Sequence, residues 1–140
     1  MRRYLVVANQ TLGGEHLAEK VRECIAAGPC QFHVLVPATR PHEHLVSTEG
    51  EARGIARQRL DAALERFGSL GATVDGELGD ASPMLAMRDV LRAQRFDEII
   101  LSTLPPGPSR WLKQDLPHRV ERTFRLPITH VVAEPEPAVR

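Results

Sequence analysis

The amino-acid sequence predicts an α/β protein: a single-domain, open, parallel, five-stranded sheet in the order 3-2-1-4-5, with helices on both faces in the Rossmann-like manner. Three observations predict it. Short apolar runs alternate with longer segments of helical period, and such alternation yields parallel strands joined by helical crossovers. The 140 residues fit one domain, 1–140, with a Pro-rich tail over 134–140. A hydrophobic fraction of 42% beside 26% charged residues is the balance of a packed globule and excludes disordered, collagenous and membrane-bundle chains.

The elements follow in order. Tyr4 to Ala8 is apolar without a 3.6-residue period, the pattern of a central strand covered on both faces. Gly14 to Ala27 sets Leu17, Val21, Cys24 and Ile25 on one helical face, and Gly28-Pro29 ends it. Gln31 to Val36 is the second strand, and Pro37 to Glu49 a polar loop. Ala52, Ile55, Ala56, Leu60, Ala63, Leu64 and Phe67 mark a long helix stopped by Gly68. Thr73 to Leu78 holds Asp75, Gly76 and Glu77, and charge with glycine inside a strand marks a sheet edge. Asp80 or Ser82 caps the next helix, which tolerates Pro83 in its first turn and buries Met84, Met87, Val90 and Leu91. Asp97 to Ser102 is the fourth strand. A Pro/Gly loop runs from Thr103 to Ser109, Asp115 caps a helix to about Arg125, and Ile128 to Ala133 is the fifth strand.

Charge narrows the function. Lys+Arg and Asp+Glu both number 18, the net charge is zero, and neither sign is concentrated in a segment. Wrapping of nucleic acid by bulk electrostatics is excluded, so no nucleic-acid partner is expected. The apolar run at Tyr4 is far shorter than the ~20 residues of a membrane span, so no membrane partner and a cytoplasmic location are expected. Cys24 and Cys30 read as free thiols, and no metal-spaced Cys/His set occurs.

Parallel sheets of this order bind ligands at the carboxyl ends of the strands, where the winding reverses between the first and fourth. Two loops lie there. The first holds Asn9, Gln10, Thr11 and Gly13; glycines ahead of a helix suit either an anion-binding turn or a flexible cap. The second holds Ser102, Thr103, Gly107, Ser109, Arg110, Gln114 and Asp115 around the only tryptophan, Trp111. Its three prolines suit a preformed ligand loop or a structural cover alike. There is no G-x-G-x-x-G, no Walker sequence and no G-x-S-x-G elbow. Asn9 stands where a phospho-receiver needs aspartate. His42-Glu43-His44 lacks a third ligand and reads as solvated loop; His33 and His130 read as packing or surface residues, and His118, Arg119, Arg122 and Arg125 as a solvated face.

On these residues the chain resembles the universal stress protein family. The resemblance covers nearly the whole length. It rests on the order of elements, on Gly79-Asp80, on Phe96 through Thr103 as the fourth strand, and on Ser109-Arg110-Trp111-Leu112, Arg119-Val120 and Leu126-Pro127-Ile128. It implies a nucleotide pocket whose phosphate loop carries G-x-x-G and then Gly-Ser or Gly-Thr. Here Pro105 takes the first glycine position, Gly107 remains, and Gln114-Asp115 replace the glycine pair. The acidic residue that meets the nucleoside is Asn9, and the strand end that touches the base falls near Val36. The resemblance therefore implies ATP held weakly, adenosine or AMP tolerated better, and a homodimer through Ile128, Val131 and Val132 of the fifth strand.

The function expected is a stress-related binding module with weakened or lost ATP binding and no catalytic residue. Two alternatives stand beside it. One is a nucleotide hydrolase or transferase of the related fold, for which only Thr11, Ser102, Thr103 and Asp115 offer themselves, none with a histidine set beside it by spacing. The other is a ligand-free interaction protein acting through the Trp111 loop or the sheet edge.

Overall fold

The computed structural model describes residues 1–38, 49–107 and 109–133. The His42-Glu43-His44 loop and the 134–140 tail lie outside them. The strands are β1 (Arg2–Val7), β2 (Cys30–Pro37), β3 (Thr73–Gly79), β4 (Glu98–Thr103) and β5 (Ile128–Val132). The helices are α1 (Glu15–Ala27), α2 (Glu49–Ser69), α3 (Pro83–Ala93), α4 (Arg110–Lys113) and α5 (Leu116–Phe124). The sheet order is β3-β2-β1-β4-β5, every pair parallel, as the alternation predicts.

Each face of the sheet carries its own core. Val6, Val34, Val36 and Ile100 meet Leu17, Val21 and Cys24 of α1 and Ala56, Leu60, Ala63 and Phe67 of α2. Leu5, Val7, Leu35, Ile99 and Leu101 meet Ala86, Met87 and Val90 of α3, and Trp111, Leu116 and Val120. Alternate residues of β1 feed opposite cores, which is why its sequence is apolar throughout. Full burial of one such side chain stabilises by roughly 1.5–3 kcal/mol. Both cysteines are free thiols, and burial pushes each above its ordinary value.

Several details differ from the sequence reading. α2 passes Gly68 and ends at Ser69, and its closing turn is completed at Gly71, φ +99°. Without the positive φ that makes glycine a stop signal, Gly68 continues the helix. Ser82 caps α3 by accepting from the Leu85 N–H at 3.4 Å, while Asp80 accepts from the Ser82 N–H at 2.8 Å. Asp115 stands at the start of α5 but makes no capping bond; its backbone is left-handed, φ +55°, and its carboxylate meets His118 Nδ1 at 3.0 Å. The segment after the Pro/Gly loop forms the short helix α4, capped by Ser109. His33 is buried, with Nδ1 and Nε2 each 2.7 Å from Asp75 and Glu77 on the neighbouring edge strand.

β5 is an edge strand, paired only with β4. The three apolar side chains expected at a dimer seam are not all exposed. Val131 is buried in the α1–α2 core, and Ile128 is half-buried beside α5; of the three only Val132, at 37%, is exposed. Strand side chains point to the two faces of a sheet, and here α1 and α5 cover both.

Candidate functional site

β1 leads away to α1 and β2 on one side, and β4 is reached from the opposite side. The winding of the sheet therefore reverses between them, the place where sheets of this kind bind ligands. The turn after β1 is held by the Leu12 N–H on Asn9 C=O at 3.2 Å and the Gly14 N–H on Thr11 C=O at 2.9 Å. Asn9 is buried and fixed from both ends. Its amide donates to the Pro37 carbonyl at 2.7 Å, and its carbonyl accepts from Arg59 at 2.5 Å. One turn thus ties the ends of β1 and β2 to α2.

Arg66, two turns further along α2, donates to the Gly13 carbonyl at 2.6 Å and to Glu15 at 2.8 Å. Arg22 also holds Glu15, at 2.9 Å, and the two guanidiniums, Arg22 first, keep its carboxyl below the usual range. Between the turn and the helix lies a groove of about 300 Å³ lined by Asn9, Gln10, Leu12, Gly13, Arg59, Ala62, Ala63 and Arg66.

The remaining candidates sit elsewhere. Thr11 and Ser102 are buried and share a hydrogen bond of 2.6 Å, each hydroxyl satisfying the other. Ser109 Oγ accepts from the Leu112 N–H at 3.1 Å, and the Ser109 N–H returns to the Pro105 carbonyl at 3.2 Å, so this loop closes on itself. Gly107, Arg110, Gln114 and Asp115 are exposed and do not line the groove. Val36 puts its side chain into the core, leaving its backbone and that of Pro37 at the strand end. Trp111 is packed against the sheet at 9% exposure, so its ring is no docking surface.

Sequence spacing missed His130, whose Nε2 is 2.8 Å from Thr103 Oγ1. The same hydroxyl lies 2.9 Å from the Leu104 carbonyl, so its single proton is shared between two acceptor positions. Burial lowers the His130 pKa from its ordinary value, which favours the neutral ring. Spacing also missed Arg59 and Arg66. Their signal was present, since Arg59, Ala62, Ala63 and Arg66 fall on one helical face.

No family model and no curated protein matches the sequence. Solved structures do match in fold. A universal stress protein family protein from Burkholderia pseudomallei aligns at TM-score 0.64 and 14% identity, over 92% of this chain and 94% of its own. One from Arabidopsis thaliana with AMP bound aligns at 0.63 and 8% identity, over 96% and 93%. A universal stress protein in complex with cAMP aligns at 0.63 and 17% identity, over 95% and 98%. The fold is that of universal stress proteins, as the resemblance implied. No helix among the described residues is long and apolar enough to cross a membrane.

Proposed function

We propose that this chain is a stress-related, cytoplasmic binding module of universal stress protein type. In this reading it takes a small adenine nucleoside or nucleotide at the end of β1, and its hold on ATP is weak. The observation that supports this best is the contrast between the two loops. The turn after β1 borders an open groove of about 300 Å³. The hydroxyls of the loop after β4 are all committed: Ser109 to α4, Ser102 to Thr11, and Thr103 to Leu104 and His130.

A polyphosphate arriving at that second loop would find its hydroxyls already bonded. Pro105 has no N–H to offer. Asp115 adds a carboxylate, and repulsion at about 4 Å costs roughly 1 kcal/mol in water and more in a cleft. Each lost or opposed contact costs about 1 kcal/mol, and about 3 kcal/mol in all moves a micromolar site toward millimolar. Nucleosides and monophosphates lose less, because the groove beside Asn9 and Gly13 is not lined by that loop. AMP and cAMP in two fold neighbours are in keeping with this preference.

Titration calorimetry tests the reading. ATP is expected to bind no tighter than roughly 100 µM, with little help from Mg²⁺. Changing Pro105 to Gly and Gln114-Asp115 to Gly-Ser is expected to improve ATP affinity more than adenosine affinity. Micromolar ATP binding by the unmodified protein, or no gain in the variant, would count against it.

A further inference from the structure

Resting on the binding module proposed above, we infer that the ligand's negative charge is received by α2, through Arg59 and Arg66, rather than by the loop after β4. The ligand class this selects is a nucleoside monophosphate. Arg59 and Arg66 are seven residues apart on one face of α2, about 10.5 Å along the axis. Ala62 and Ala63 lie between them and, being small, leave the groove open. Gln10 and the backbone of Gly13 form the opposite wall.

Both guanidiniums are held in place before any ligand arrives. Arg66 is anchored on Gly13 and Glu15, and Arg59 on Asn9. A guanidinium has five donors in a fixed fork that suits phosphate oxygens. Anchoring it beforehand lowers the entropy lost on binding. The surroundings are also electropositive. Among the described residues, Arg22 and Arg66 both pair with the one carboxylate of Glu15. The groove's volume, about 300 Å³, is at the low end of ligand pockets and suits a mononucleotide.

The rival account is that Arg59 and Arg66 only fasten α2 to the turn. Calorimetric titration of the full chain with AMP and with adenosine separates the two. AMP is expected to bind at least about tenfold tighter at low salt, with the advantage shrinking as salt rises. In Arg59→Gln and Arg66→Gln the AMP-to-adenosine ratio should fall toward one. Arg66→Lys, which keeps the charge and loses the fork, should retain part of it. The unmodified protein's ratio and its salt dependence decide the matter even where a variant folds poorly. Equal affinity for AMP and adenosine overturns the inference and leaves the binding-module reading intact. A preference for AMP that both glutamine variants keep also overturns it, since the charge is then read elsewhere. Binding of neither compound overturns the reading and the inference together.

Discussion

His130 shows how one half-buried side chain sets a pH dependence. Its ring is half-buried on β5 beside Thr103 of β4, and burial lowers its pKa from the ordinary 6.5. The unfolded chain therefore takes up this proton first as pH falls. Below about pH 6.5 the unfolded state binds more protons at this position, and folding stability declines. Urea midpoints at pH 7.5 and pH 5.0 check this. His130→Gln, which keeps a partner for Thr103, is expected to show a smaller acid loss than the parent chain. An equal loss in both would place the acid sensitivity elsewhere. At the same scale, Asn9 illustrates a residue whose type was legible and whose use was not. An amide there read as a nucleoside contact, yet its carbonyl and its amide are committed to Arg59 and Pro37. Only the fold brings those partners within reach.

At the scale of elements, the contact between α2 and β3 is set by the absence of a side chain. A Cβ on Gly76 would stand 2.6 Å from the Val34 carbonyl and 2.7 Å from Leu60 Cδ1. The sequence took this glycine as a sign of an edge strand. β3 is an edge, but the glycine is there because α2 lies directly on it. Gly76→Ala is expected to destabilise by about 1–3 kcal/mol, roughly 4 °C of melting temperature for each kcal/mol. Gly54→Ala, on the same helix with nothing within 4 Å, should do the opposite by about 0.5–1 kcal/mol. Thermal melts of the two variants compare packing with propensity directly; a harmless Gly76→Ala would mean that α2 can lift away from β3. The loop between β4 and α5 follows a similar logic. Its composition suited a ligand loop, but Ser109 turned inward to start α4, which Trp111 then fastens to the core.

For the whole molecule, the exposed flank of β5 is where a second copy would pair. The backbone of an edge strand offers unpaired N–H and C=O groups whatever its side chains do. His16 of α1 already takes one of them, the Val132 carbonyl at 2.8 Å. A homodimer through this strand predicts light scattering at twice the 15.5 kDa chain mass at tens of micromolar; a value at the chain mass would refute it. The sequence by itself determined the strand–helix alternation and the parallel pairing of the strands. Each of these follows from local periodicity and from the handedness of crossovers, which act over a few residues or apply to every chain of this kind. It also marked Asn9, Gln10 and Gly13 as candidate binding residues, because a strand end is visible where an apolar run stops. Only the tertiary structure decided which polar groups remain for a ligand. Thr11 and Ser102 are 91 positions apart, and Arg59 is 50 from Asn9. A hydroxyl that is free and one that is satisfied look the same in one dimension. They differ only once long-range packing has chosen each partner.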